Sequence, residues 1–308
     1  MKGNAMKTLI VAMWDPGVSI QSLSLHEKIE VLEKKFKFAY ELARPSIDEE
    51  TMFLFMCPEF SLLDMKDLTT NFSYTKQAFI EAEKRLQKLA NDYPQAIIIP
   101  GTAYIEKTMD LNNPDKEKKY ASFIKKWQLE HYQTLKPFRQ EIKDKTFVKS
   151  TASIFFQSTT AKPKRYSKRI EAGEYLDSIT NFLYPGHSTP FFTYNGIRFG
   201  IEICADHKDG ILISEQKKTK EPVDVHLIIA NVMHTIPGRV ANGKENVIVV
   251  NCAGNFSYVP TAARETGVWV ADENGRLEPI TPSDSSTKDL KIFPSIPLPN
   301  QNTTPTLK

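Results

Sequence analysis

Three short stretches hold side chains that could do covalent chemistry together. Cys204 ends the apolar run Phe199-Gly200-Ile201-Glu202-Ile203 and is followed by Ala205-Asp206-His207. A thiol there sits at a strand terminus, beside an Ala205 backbone N–H that could donate to an oxyanion. A buried, inert cysteine fits the same residues equally well. Glu59 follows a second apolar run, Met52-Phe53-Leu54-Phe55-Met56-Cys57-Pro58. A carboxylate directly after a buried strand is costly unless partnered, and partial burial would raise its pKa into the range of a usable base. A loop or capping carboxylate is the plainer reading. The third stretch is Lys164-Arg165-Tyr166-Ser167-Lys168-Arg169. A basic cluster is ordinarily solvated surface. Yet an ammonium is what a Cys–Glu pair lacks, both to hold an oxyanion and to keep the carboxylate ionised.

These residues need elements to hold them. Thr8–Met13, Met52–Met56 and Ala96–Ile99 read as buried strands. The helical patterns Ser24–Ala43 and Tyr74–Ala90 lie between them. Ser24-Leu25-His26-Glu27 has the form of a capping box, and Arg44-Pro45 ends the first helix. Further strands are expected at Ala152–Phe156, Phe191–Tyr194, Phe199–Ile203, Val225–Ala230, Val247–Asn251 and Gly267–Val270, with Asn195-Gly196 as a hairpin turn. Strand–helix alternation in front and hairpins behind predict a mixed sheet pair covered by helices, an α/β fold.

Taken in order, Pro58-Glu59, Tyr166-Ser167-Lys168 and Gly200-Ile201-Glu202-Ile203-Cys204-Ala205-Asp206 resemble the signature of the nitrilase, or carbon–nitrogen hydrolase, superfamily. Ile99-Pro100-Gly101-Thr102, Tyr184-Pro185-Gly186, and Glu245-Asn246-Val247 with Asn251 and Gly254 add to the resemblance, which runs from about residue 7 to about residue 275. It implies a four-layer α-β-β-α sandwich with Glu59, Lys168 and Cys204 converging at strand ends as base, cation and nucleophile. It also implies an acyl-thioester on Cys204, an Ala205 N–H assisting the oxyanion, and no metal or organic cofactor. The substrate would be a small amide or nitrile, and the assembly a homodimer or higher homo-oligomer. Cleavage of an amide is the leading expectation. Nitrile hydrolysis or acyl transfer by the same three residues, and a non-catalytic binding module on the same fold, are the alternatives.

The chain departs from the family pattern in places. A second glutamate often follows the family's lysine; here Glu171 and Glu174 are both near, and Glu174 is the better candidate. His207-Lys208-Asp209-Gly210 replaces an arginine-rich run, and Asn231-Val232-Met233-His234 replaces a proline-containing one. Cys57 and Cys252 read as packing residues, His226 as a satisfied core group, and His207 as a surface histidine in preference to a substrate contact. No two histidines or cysteines show zinc-ligand spacing.

Composition bounds the rest. The chain has 308 residues, 41% apolar and 25% charged, with a formal net charge of +3. That balance gives no reason to invoke nucleic acid or a membrane. Three cysteines do not make a disulfide framework, and free thiols suit a reducing, cytoplasmic compartment. We expect one hydrolase domain over 1–280 and an extended or disordered tail over 281–308. A long charged insertion at about 106–150 has apolar residues at helical spacing (Ile124, Trp127) that suggest a flap bordering the pocket.

Overall fold

The structure is a computed structural model and describes residues 7–63, 73–107, 146–159, 162–170, 181–244, 246–254 and 265–299. Two sheets pack face to face. The first is built from β1 (Thr8–Trp14), β2 (Thr51–Met56), β3 (Ala96–Ile99), β4 (Thr102–Lys107), β5 (Thr146–Phe156) and, from the far end of the chain, β14 (Leu290–Pro297). Its order is β14-β1-β2-β3-β5-β4, and the short β6 (Lys164–Ser167) and β7 (Asn181–Leu183) also pair with β5. The second is built from β8 (Phe191–Tyr194), β9 (Ile197–Ile203), β10 (Val225–Asn231), β11 (Val247–Gly254), β12 (Gly267–Ala271) and β13 (Leu277–Pro279). Its order is β13-β12-β11-β10-β9-β8.

Side chains alternate along each strand, and the alternation decides the layers. Leu9, Val11 and Met13 join Met52, Leu54, Met56, Ile201, Ile203, Leu227 and Val249 in the inter-sheet core. Ile10, Ala12, Trp14, Phe53 and Phe55 face the other way, onto Ile29, Leu32, Phe36, Phe79 and Leu86 of helices α1 (Leu25–Ala43) and α2 (Lys76–Asp92). Both faces being buried is why β1 and β2 read as unbroken apolar runs. The far face of the second sheet carries α3 (Ala205–Asp209) and α4 (Ile211–Thr219), with Leu212 clustered against Val223 and Ala241. This is the α-β-β-α order expected from the resemblance. The capping box at α1 forms as read: the Ser24 side chain accepts from the Glu27 backbone N–H, and the Glu27 carboxylate accepts from Ser24 N–H at 2.7 Å. The Asn195-Gly196 turn forms with φ of 47° and 81°.

Two segments differ from expectation. The stretch from Thr281, read as an extended or disordered tail, supplies β14, which runs antiparallel to β1 from Thr8↔Pro297 to Trp14↔Leu290. Leu290, Ile292, Phe293 and Ile296 are buried. A register shift at Leu9/Val11 and the exposed Pro294 break its period-two pattern, as such features do on edge strands, and so hid the strand. The insertion is also shorter than 106–150, because β4 and β5 pair from Thr102↔Ala152 to Lys107↔Phe147. Residues 108–145, where the flap was expected, lie outside the described residues, as do Glu171 and Glu174. No described helix is long and apolar enough to cross a membrane.

Candidate active site

Glu59, Lys168 and Cys204 each follow the end of a strand, and backbone hydrogen bonds bring the strand ends together. Glu59 N–H donates to Ala230 O at 3.1 Å, and Cys204 N–H donates to Ile229 O at 2.9 Å. Consecutive carbonyls of β10 therefore anchor a turn of the first sheet and the cysteine of the second. Lys168 N–H donates to Ser150 O on β5 at 2.9 Å, and its carbonyl accepts from Gly186 N–H at 2.8 Å.

Side-chain contacts tighten the arrangement. Lys168 Nζ donates to Glu59 Oε1 at 2.9 Å, with the side chains 1% and 0% exposed. Burying either charge alone would cost several kcal/mol, so each requires the other. Of the neighbouring cations, Lys164 is exposed at the start of β6. Arg165 turns away to the buried carboxylate of Glu83 on α2. The basic cluster thus separates into one buried ammonium and charges outside the site.

Two glycines hold the turns that carry this pair. Gly101 (φ 86°) lies against the Pro58 carbonyl, and Gly186 lies against the Ser167 carbonyl. A Cβ at either would overlap the facing backbone. Phe60 takes a φ of 67°, and its N–H donates to Thr102 Oγ1 at 3.0 Å.

Cys204 occupies a sharp elbow with φ 47° and ψ −105°. Alternation along β9 sends Ile201 and Ile203 to the inter-sheet core and leaves Gly200 and Glu202 for the helical side. Cys204 should follow Glu202, yet it packs in the inter-sheet core. The positive φ, uncommon outside glycine, redirects it. Its Sγ lies 3.8 Å from Asn231 O. Ala205 begins α3, so its N–H has no carbonyl within the helix to bond. Cys57 and Cys252, by contrast, are buried packing residues as read, and burial pushes both thiols well up.

Asp206 is a residue whose role the sequence left undefined. Its fully buried carboxylate accepts from Tyr166 OH at 2.7 Å, from Arg169 N–H at 3.0 Å and from Ile170 N–H at 2.8 Å. It thereby ties the lysine loop to the residue two after Cys204. Burial pushes the Asp206 carboxyl up to about 6, against the pull of the Tyr166, Ile170 and Arg169 hydrogen bonds and the Lys168 charge.

Behind the elbow, Glu202, His207 and His226 gather with their donor atoms within 4.8 Å of one another, all buried. His226 is a satisfied core group as read. His207, read as a surface residue, is fully buried. No linear spacing betrays this cluster, because β9, α3 and β10 meet only in the fold.

No family model and no curated protein matches the sequence. Solved structures do match, over nearly the whole chain. Nit3 of Saccharomyces cerevisiae, a member of branch 10 of the nitrilase superfamily, superposes with a TM-score of 0.53 at 14% identity, covering 94% of this chain and 90% of that one. An amidase from Nesterenkonia sp. gives 0.50 at 11%, covering 96% and 92%. A variant of that amidase with the acetamide moiety of fluoroacetamide added covalently to its active-site cysteine gives 0.51 at 12%, with coverage of 96% and 92%. At such identities the likeness is one of architecture, and the chain has the fold of the nitrilase superfamily.

Proposed function

We propose that this protein is a cysteine-dependent hydrolase of carbon–nitrogen bonds in small amides. The observation that carries the reading is the buried Lys168–Glu59 pair at 2.9 Å, linked through adjacent β10 carbonyls to the Cys204 elbow. The covalent adduct on the cysteine of the Nesterenkonia amidase supports it. Glu59 takes the thiol proton as Cys204 Sγ attacks the amide carbon. The Lys168 ammonium and the Ala205 N–H hold the developing oxyanion. The C–N bond breaks as Glu59 returns the proton to the leaving nitrogen, releasing ammonia or an amine and leaving a thioester. Glu59 then deprotonates water, which attacks the thioester; the C–S bond breaks, the acid leaves, and Glu59 returns the proton to the Cys204 sulfur. An amine in place of that water would make the same site an acyl transferase, and product analysis separates the two.

The test is ammonia release from a panel of small amides and nitriles, with mass spectrometry of the protein. Cys204→Ala should abolish turnover and adduct formation in a protein that still folds. Glu59→Gln should lose at least about 10²-fold in rate, and Lys168→Ala about 10²–10³-fold. An inactive Lys164→Ala beside an active Lys168→Ala would refute the assignment of the cation. We further propose a cytoplasmic homodimer. Light scattering at micromolar concentration should give twice the 35.0 kDa chain mass, and a monomer alone would refute the dimer.

A further inference from the structure

The Glu202 cluster has the donor set of a metal centre, but its hydrogen bonds define a different device. His207 Nε2 accepts from Ile236 N–H at 3.0 Å, and His226 Nδ1 accepts from Ala241 N–H at 3.2 Å. A backbone N–H can only donate, so both of these ring nitrogens are bare. The proton of each neutral ring must then sit on the other nitrogen. These are His207 Nδ1 and His226 Nε2, at 2.9 and 3.0 Å from the same oxygen, Glu202 Oε2. Glu202 Oε1 accepts the Leu212 N–H at 2.6 Å. One carboxylate and two neutral imidazoles in fixed tautomers therefore match every donor to an acceptor. A cation among the three would displace both ring protons. To stay neutral, each ring would have to carry its proton on the nitrogen that faces a backbone N–H, donor against donor. That reverses the support a metal-bound histidine receives, where the second nitrogen donates outward.

We propose that Glu202 and His207 are positioning residues for Cys204: the Glu202 carboxylate, acting through His207, locks the turn that follows the cysteine onto β9. The proposal rests on the hydrolase reading above. Glu202 lies two residues before Cys204 and His207 three after it, so their hydrogen bond closes a ring of chain around the strained elbow. His207 N–H also donates to Cys204 O at 2.9 Å. The bare Nε2 of the same ring holds Ile236, in the segment that leaves β10 just after Asn231, whose carbonyl lies beside the thiol. Misplacing a reacting group by about 1 Å costs on the order of 10²-fold in rate, so a loosened elbow should show in the chemistry of the thiol.

The experiment compares two substitutions at one position, because asparagine and glutamine mimic different halves of the ring. His207→Asn places an amide N–H where Nδ1 was and keeps the bond to Glu202. His207→Gln places an amide oxygen near Nε2 and keeps only the bond to Ile236. The readout is the rate of Cys204 alkylation by iodoacetamide, followed by peptide mass spectrometry, on variants whose thermal melting shows them folded. His207→Asn should stay within about threefold of wild type, whereas His207→Gln and Glu202→Gln should each fall at least about tenfold. Histidine ¹⁵N shifts of the wild type should show Nδ1–H at His207 and Nε2–H at His226. Equal rates in all three folded variants would overturn the proposal, as would one equivalent of tightly bound metal lost in His207→Asn. Should Glu202→Gln fail to fold, the contrast at position 207 and the wild-type tautomers still decide. Wild-type Cys204 that alkylates no faster than Cys57 and Cys252 would sink the hydrolase reading instead, and the tautomer assignment would stand apart from it.

Discussion

The Asp206 carboxylate receives Tyr166 OH and the two backbone N–H groups that directly follow Lys168 in the chain. Asp206→Asn would turn a donor toward one of them and release the lysine loop. We expect turnover to fall about tenfold or more, a cost of the order met when a buried charge-assisted bond is lost. With the carboxyl pushed up to about 6 by burial, the wild-type rate should also decline as pH drops through that value. That acid limb should be absent from the Asp206→Asn profile; an unchanged limb would show that Asp206 is not its source. Nothing in the sequence pointed to this role. Asp206 and His207 could be seen but not interpreted, since their partners Tyr166, Ile170 and Ile236 are remote in the chain. Cys204 and Glu59 are each legible as a polar or reactive side chain at the end of a largely apolar run, and it is their order together with Tyr166-Ser167-Lys168 that separates them from a packing cysteine and a loop carboxylate. Lys168 was harder to single out: it is one cation among several, and its burial against Glu59 is what separates it from Lys164.

The lysine loop is held by marginal pieces of structure. It is fixed by β6 pairing with β5, by Gly186 N–H on the Lys168 carbonyl, and by the close approach of Gly186 to Ser167. Gly186→Ala should therefore push the loop away from Glu59 while leaving the sheets intact. Activity should drop at least about tenfold with a stability loss of about 1–3 kcal/mol, the usual scale of overpacking. Kinetics and urea unfolding on the same preparation test this: a stability loss without a rate loss would mean that the loop does not need its present position. Such pieces are also the ones that sequence patterns miss. β1, β2 and β3 carry the apolar runs of fully covered strands, whereas β4, β6, β7 and β14 are short, polar or bulged.

Across both layers around the elbow, the buried acids Glu202 and Asp206 pull acid stability in opposite directions. Burial drives the Glu202 carboxyl up, but the hydrogen bonds from His207 and His226 outweigh it and hold the group down at about 2. A depressed pKa contributes stability that is present above the ordinary value near 4.5 and is lost as pH falls from there toward 2. Asp206 is raised, so its contribution is complete below the ordinary value near 3.8 and disappears as pH rises through about 6. Urea midpoints should thus hold or improve slightly from pH 7 to pH 5 and decline in stronger acid. Glu202→Gln should cost on the order of 3 kcal/mol at pH 7 and distinctly less at pH 3. An equal deficit at both values would show that the carboxylate charge is not what stabilises.

The pairing of β1 with β14 also sets a timetable. The strand that covers this edge of β1 is synthesised roughly 280 residues after it. At about 5–20 residues per second that is a delay of roughly 15–60 s. Throughout it, the nascent chain displays an apolar strand with one row of unanswered backbone groups. Chaperone demand during translation comes from that open edge, whereas substitutions in Leu290–Pro297, where Leu290, Ile292, Phe293 and Ile296 are buried, act afterwards on the stability of the finished sheet.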